Sequence, residues 1–285
     1  MKTITSLAEM QATANQIRCA GRKIGFVPTM GFLHAGHLSL IKAAREQCDI
    51  VIVSVFVNPT QFAPNEDFAR YPRDVARDAA LAAEIGADFL FLPEVTEMYP
   101  AGFSSFVVVE GLSTVWEGAV RPTHFRGVTT VVLKLLELTK PQLMYLGQKD
   151  VQQCVVLRRM ARDLNLDVTI IVCPTVRESD GLAMSSRNFY LSSDDRRGAT
   201  ILHRSLKNAT DQIHSGTLDC AQIRTGMEVL LQHVLHTAPD YVAIIDGETL
   251  QPLVKIDRHR QTIIALAVRF GATRLIDNAI IEAAN

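Results

Sequence analysis

Two histidines three residues apart, His34 and His37, stand in the stretch Pro28–Leu40 (PTMGFLHAGHLSL), the part of the chain with the most chemistry per residue. Imidazoles spaced around a turn can donate to oxygens that gain charge when a phosphorus centre is attacked. Gly31 and Gly36 can take backbone angles closed to other residues and let a ligand approach the main chain, while the N–H groups of a helix start favour an anion. Together these features describe a phosphate site. A zinc site would need at least one more ligand of matching spacing, and the neighbouring sequence offers none. The plain alternative is a strand-to-helix connection with two exposed histidines, which an isolated His-x-x-His pair would favour.

Two further groups carry charge and donors. Gly147-Gln148-Lys149-Asp150 places an ammonium and a carboxylate between an apolar run and a helical one. Lys149 can meet phosphate oxygens as a point charge or be a solvated lysine, and Asp150 can cap the helix or hold Mg2+. Of Gln152 and Gln153, one is expected to face solvent and the other a ligand. Met184-Ser185-Ser186-Arg187-Asn188 offers two hydroxyls and a guanidinium, which suit an oligophosphate, with Gly181 letting the loop move; a plain interdomain linker is the alternative. Gln61, in the loop that follows Asn58-Pro59, is a further candidate. His233 and His236 read as an exposed pair with no role.

The elements that must position these groups follow from periodicity. Thr5–Ala20 has helical spacing, Ile24–Val27 reads as a strand, and Leu38, Leu40, Ile41 and Ala44 mark the buried face of the next helix. Asp49–Val57 (DIVIVSVFV) is the β-branched run of a parallel strand covered on both faces. The loop after it lies at a strand's carboxyl end, where open parallel sheets place ligands. Asp74–Ile85 reads as a helix, Ala87–Leu92 as a strand, and Phe106–Val109 as a further strand. A helix over Val128–Leu138, a strand over Pro141–Leu146, a helix over Val151–Leu164 and a strand over Asp167–Cys173 complete an alternation that predicts a doubly wound sheet. Beyond the polar stretch Thr175–Asn188, two long helices (Asp194–Ser215 and Asp219–His236) and three strands (Tyr241–Asp246, Thr262–Val268, Arg274–Ile281) predict a small α+β domain.

Composition narrows the rest. Lys and Arg total 29 against 30 Asp and Glu, a formal net charge of −1, so no global charge points to nucleic acid or an anionic membrane. The five cysteines are far apart with no C-x-x-C pair, which argues for buried free thiols over a disulfide framework. The first residues lack a signal-peptide core and no segment reaches the roughly 20 apolar residues of a membrane helix, so the expected location is the cytoplasm.

A histidine turn after the first strand and a Ser-Ser-Arg loop after the last resemble the HIGH and KMSKS elements of nucleotidylyltransferases and class I aminoacyl-tRNA synthetases. The likeness is closer to one family: PTMGFLHAGH, NPTQF, FRGVTTVV-K, GQKD-QQ, RESDGLAMSSRN-YL and TRLIDN occur in this order and spacing, and the chain resembles the pantothenate synthetases (pantoate–β-alanine ligases) over essentially its full length. The resemblance implies a Rossmann-like doubly wound domain over residues 1–176 and a smaller C-terminal α+β domain over residues 177–285 that keeps water from the reaction. It implies ATP-dependent condensation of pantoate with β-alanine to pantothenate, AMP and pyrophosphate through a pantoyl-adenylate. Met30, Gly31, Phe32, Leu33, His34, Ala35, Gly36 and His37 would bind ATP with Gly147, Gln148, Lys149, Asp150, Val176, Met184, Ser185, Ser186 and Arg187. Thr29, Met30, Gln61 and Gln153 would hold pantoate, and Gln61 would also meet β-alanine. His34, His37, Lys149 and Arg187 would stabilise the reacting phosphate, with Mg2+ as cofactor at Asp150, in a cytoplasmic homodimer that binds neither nucleic acid nor membrane. Phe32, where a small residue is common, and Gln148, where Glu is frequent, are the departures. A nucleotidylyltransferase that leaves a stable dinucleotide and a catalytically silent nucleotide-binding module are the competing functions. A tRNA synthetase is disfavoured by near-neutral charge and the lack of an evident RNA-binding extension.

Overall fold

The computed structural model describes residues 1–64, 66–234 and 238–284, and only the backbone of Asp67. The chain divides into two compact units, one of Met1–Gln148 with Val156–Pro174 and one of Lys149–Val155 with Thr175–Asn285.

In the first unit the chain alternates strand and helix: β1 (Lys2–Ile4), α1 (Leu7–Cys19), β2 (Ile24–Thr29), α2 (Ala35–Gln47), β3 (Ile50–Val55), α3 (Val75–Glu84), β4 (Phe89–Phe91), the short α4 (Val95–Met98) and α5 (Glu117–Val120), α6 (His124–Thr139), β5 (Leu143–Gly147), α7 (Val151–Asp163) and β6 (Thr169–Cys173). The six strands pair in parallel in the order β1-β4-β3-β2-β5-β6. Burial follows composition: every residue of β3 but the last is buried, as a strand covered on both faces requires. Leu40, Ile41 and Ala44 of α2 pack on Val27, Val51 and Val53 in one apolar core. The chain order reverses between β2 and β5, so ligands are expected at the carboxyl ends of these two strands. Those ends lead into Met30–His37 and into Gly147 and Gln148.

Three expectations differ here. Phe106–Val109 is not a strand, because threonines of α6 take its backbone groups: the Val107 N–H donates to Thr130 Oγ1 at 3.0 Å and Thr129 Oγ1 donates to the Val107 carbonyl at 2.6 Å. Strand β1 was not expected; three residues are too short for alternation to register, and only pairing with β4 defines it. Cys19 is exposed, whereas Cys48, Cys154, Cys173 and Cys220 are buried and all five thiols are free.

The second unit holds α8 (Ser193–Gly198), α9 (Ile201–His214), α10 (Cys220–Gln232) and an antiparallel sheet of β7 (Tyr241–Asp246), β8 (Thr262–Phe270) and β9 (Thr273–Ile281) in that order. Leu202, Leu206, Ile223 and Met227 pack on Ile264, Leu266 and Leu275 to form its core. The single helix expected over Asp194–Ser215 is two, with the poor helix former Gly198 closing the first. His233 follows α10 and is exposed, while the end of the helix expected to reach His236, and His236 itself, lie outside the described residues.

Candidate active-site elements

After β2 the chain turns abruptly into α2, and a few side chains fix how. Thr29 Oγ1 donates to the Ser54 carbonyl at 2.8 Å and accepts from the Gly31 N–H at 3.1 Å. Gly31 then takes φ +85° and Phe32 φ +52°. A Cβ on Gly31 would lie 2.8 Å from Val55 Cγ1 and 2.9 Å from Asp78 Oδ2, so glycine is needed for both angle and space. Asp78, buried on α3, accepts the Phe32 N–H at 2.8 Å and the Leu33 N–H at 2.7 Å.

His34 is the N-cap of α2, and Ala35, Gly36 and His37 form its first turn. The Gly36 N–H donates to Nδ1 of His34 at 3.2 Å, and the His34 N–H donates to Nδ1 of His37 at 3.3 Å. This is a capping box made of two imidazoles in place of the usual hydroxyl and carboxylate. A ring nitrogen that accepts a hydrogen bond carries no proton, so each neutral ring has its proton on Nε2, where it is a donor. Two expectations are thereby corrected. The N–H groups of His34 and Gly36 at the helix start, expected to favour an anion, donate instead to the two rings. Gly36 is helical and uses none of its conformational freedom; only Gly31 does.

Gln61 belongs to the same unit and is buried in a short turn after β3. Its side-chain Nε2 lies 2.8 Å from Met30 Sδ, and Asn58 Nδ2 donates to its Oε1 at 3.2 Å. Asn58, buried, also donates to the Gly127 carbonyl at 3.1 Å and accepts from Tyr99 Oη at 2.8 Å and Thr60 Oγ1 at 2.9 Å. Burial pushes the Tyr99 hydroxyl above its ordinary range, partly offset by its hydrogen bond to Thr60. The Gln61 carbonyl accepts from Arg121 Nη2 at 3.2 Å and faces His124 Nδ1 at 3.0 Å; a carbonyl only accepts, so that nitrogen bears the proton. Burial and the Arg121 charge bring His124 down to about 4, against the pull of the Gln61 carbonyl, Glu117 and Glu66. Arg121 also forks onto Glu66 at 2.7 and 2.6 Å. Burial raises the Glu66 carboxyl, but the hydrogen bond and charge of Arg121 outweigh it and leave the group below its ordinary range. Gly127 permits this packing, since a Cβ there would lie 2.4 Å from the Thr60 carbonyl oxygen.

Gly147 and Gln148, half-buried at the end of β5, complete the candidates in the first unit. In the second, Lys149 is mostly buried, with Nζ 3.6 Å from Oδ1 of the half-exposed Asp150. Gln152 is buried and Gln153 is half-buried. Asn278 on β9 donates to the Lys149 carbonyl at 3.0 Å. Its neighbour Asp277 accepts from both terminal nitrogens of Arg177 at 2.6 and 3.0 Å. Successive residues of one strand thus hold Lys149 and the start of the Thr175–Asn188 segment.

That segment has the composition of a linker, yet it is folded. Arg177 and Ala183 form an antiparallel bridge, the Gly181 N–H donates to the Glu178 carbonyl at 2.9 Å, and the Met184 N–H donates to the Val176 carbonyl at 3.0 Å. Gly181, at φ +94°, makes the turn, and His203 occupies the space a Cβ would need. Ser185 Oγ caps a short 3-10 turn by accepting the Arg187 N–H at 3.2 Å, and Met184, Ser185, Ser186 and Arg187 are all half-buried.

Sequence reasoning missed Asp78, Arg121, His124, Tyr99 and the Asp277–Asn278 pair as positioning groups, and read Asn58 only as a strand stop. The Asn58-Pro59 stop after β3 and the buried polar pair Asp277-Asn278 within β9 were the signals available. Among the described residues no three His, Cys, Asp or Glu side chains gather as a metal site.

A parallel sheet with a left-handed glycine turn and a pair of capping imidazoles after one of its inner strands is an α/β architecture suited to nucleotide chemistry. Residues 2–280 match the model of the pantoate-beta-alanine ligase family. A pantothenate synthetase of Moorella thermoacetica is 55% identical over 282 residues, covering 99% of this chain and 98% of its own. One of Fervidobacterium nodosum is 53% identical, covering 99% and 100%. The crystal structure of a Thermus thermophilus pantothenate synthetase superposes with TM-score 0.92 at 48% identity over 99% of this chain and 100% of its own. That of a Francisella tularensis pantoate-beta-alanine ligase, complexed with beta-gamma ATP and beta-alanine, gives TM-score 0.80 at 36% identity over 100% and 99%. The chain belongs to the pantoate–β-alanine ligase family, and its activity is the ATP-dependent joining of pantoate to β-alanine.

Proposed function

We propose that the reaction runs in two steps. A carboxylate is a poor partner for an amine because its oxygen is a bad leaving group, so the pantoate carboxylate first attacks the α-phosphorus of ATP and displaces pyrophosphate. The amine of β-alanine then attacks the acyl carbon of the pantoyl-adenylate, forming the amide and releasing AMP. The observation that supports this reading best is the pair of imidazoles that cap the start of α2, in the same turn as Met30, whose sulfur lies 2.8 Å from the Gln61 amide nitrogen.

In this scheme Met30–His37 bind ATP together with Gly147, Gln148, Lys149, Asp150, Val176 and Met184–Arg187. His34 and His37 lend hydrogen bonds to the phosphate oxygens as they gain charge; a neutral Nε2–H is suited to this without giving up its proton. Lys149 and Arg187 supply full positive charge. Thr29, Met30, Gln61 and Gln153 hold pantoate, for which an amide is apt because it donates to a carboxylate and accepts from hydroxyls; Gln61 also meets β-alanine. Mg2+ fits as a companion of the nucleotide: it keeps several waters and needs few protein carboxylates, and Asp150 is a half-exposed one; bound there, it would neutralise phosphate charge. The enzyme is read as a cytoplasmic homodimer, as its family implies.

Isotope exchange between pyrophosphate and ATP tests the scheme. Exchange should require pantoate and Mg2+ but not β-alanine, and AMP should accumulate only when β-alanine is added. His37→Ala and Lys149→Ala should each lose at least ~2 kcal/mol of transition-state stabilisation, roughly one preorganised donor. Exchange that ignores pantoate, or a stable dinucleotide product, would sink the scheme.

A further inference from the structure

We infer that Asp78, with Arg77 beside it, is the positioning residue that sets the histidine turn; the inference rests on the proposed role of His34 and His37. Nothing in the local sequence marks Asp78, which lies in an alanine-rich helix. Its position says otherwise. The carboxylate is 1% exposed, and a buried carboxylate is tolerated only where its oxygens are satisfied. Each oxygen accepts one main-chain N–H: Oδ2 that of Phe32 at 2.8 Å and Oδ1 that of Leu33 at 2.7 Å. These are successive residues of the left-handed turn, and Phe32 at φ +52° is a side-chain-bearing residue in a region that disfavours it. Two charge-assisted bonds to adjacent amides offset that cost and fix where the next residue, the N-cap His34, begins α2. The capping box then follows, since both ring nitrogens can meet their N–H partners only if His34 starts the helix at this point.

Arg77 closes the arrangement from the solvent side. Its guanidinium lies 5.4 Å from the centre of the Phe32 ring, and Nη1 is 4.0 Å from Asp78 Oδ1. This gives a physical role to Phe32: its ring lets an exposed arginine pin the strained turn from above. An aspartate is specifically suited at position 78. Asparagine has one acceptor and would set its amide against the second N–H, and Gly31 has to be glycine beside this carboxylate, since a Cβ there would lie 2.9 Å from Oδ2.

The test is Asp78→Asn, nearly isosteric, assayed by pyrophosphate–ATP exchange and by steady-state kinetics alongside His37→Ala. The expected result is a fall in kcat of roughly ten- to a hundredfold, the worth of a charged hydrogen bond, with KM for pantoate changed less than about twofold and faster hydrogen exchange at the Phe32 and Leu33 amides. An impaired His37→Ala with an unimpaired Asp78→Asn overturns the role of Asp78. An unimpaired His37→Ala overturns the reading of the site itself. If Asp78→Asn does not fold, the wild-type enzyme still decides: the Phe32 and Leu33 amides should be protected as well as those of β2, and rapid exchange there would refute the inference.

Discussion

The turn after β2 and the segment Thr175–Asn188 carry the two groups of phosphate-binding candidates, and they are built in opposite ways. In the turn, strain is held from inside by a buried carboxylate on successive amides, and two imidazoles cap the helix through Nδ1. In the segment, one partly buried pair, Arg177–Asp277, ties the chain to β9, and the outer side is held by Arg196 to Glu178 and Asp180 at 2.6 and 2.7 Å, all three of them substantially exposed. Exposed ion pairs are screened by salt and are individually weak, whereas buried charge-assisted bonds to the main chain are neither. The turn is therefore the preorganised one of the two candidate groups, and the segment is the one whose hold depends on ionic conditions.

The sharpest way to break this contrast is Gly31→Ala. A Cβ there meets Val55 and Asp78 below 3.0 Å in a left-handed conformation, so the turn must give way and carry His34 with it. Pyrophosphate–ATP exchange should fall by more than about a hundredfold, as for loss of preorganised donors. Asp277→Ala probes the other side. It leaves Arg177, with 22% of its side chain exposed, without its carboxylate, and should cost about 3 kcal/mol of the second unit's stability in denaturant unfolding. Activity should fall through loss of Lys149 and Arg187 placement, with partial recovery at saturating ATP. A smaller effect comes with acid. His124 has a folded value of about 4 against 6.5 ordinarily, so the unfolded chain takes the proton first; its contribution is full above about pH 6.5 and is lost as pH falls toward 4. The loss is at most about 3 kcal/mol, less because part of the ring remains in water, and Glu66, held low by Arg121, adds in the same direction below its ordinary value. Thermal unfolding across this range should show a decline that His124→Gln flattens.

Much of this was legible in the sequence because it is periodic. Asp49–Val57 could only be a buried parallel strand, and Leu40, Ile41 and Ala44 mark the face that α2 buries. The three antiparallel strands of the second unit were readable within a few residues for the same reason. What escaped was long-range satisfaction of polar groups. Asp78 acts 45 residues from Leu33, and Asn278 acts 129 residues from Lys149, distances over which no local pattern speaks. Phe106–Val109 has strand composition, yet the threonines of α6 were nearer partners than another strand. The histidine pair was recognised by spacing, but its tautomers depend on a reciprocal cap that appears only when the helix start is placed.

Adenylation is the step proposed for these groups, and the fate of one oxygen atom reports on it most directly. Pantoate carrying heavy oxygen in its carboxylate should be turned over with ATP and β-alanine and the products weighed by mass spectrometry. If the carboxylate attacks the α-phosphorus and the amine later expels AMP, one labelled oxygen must appear in AMP and none in pyrophosphate. AMP without label, or label in any other phosphate product, would contradict a pantoyl-adenylate and with it the task assigned to the turn after β2.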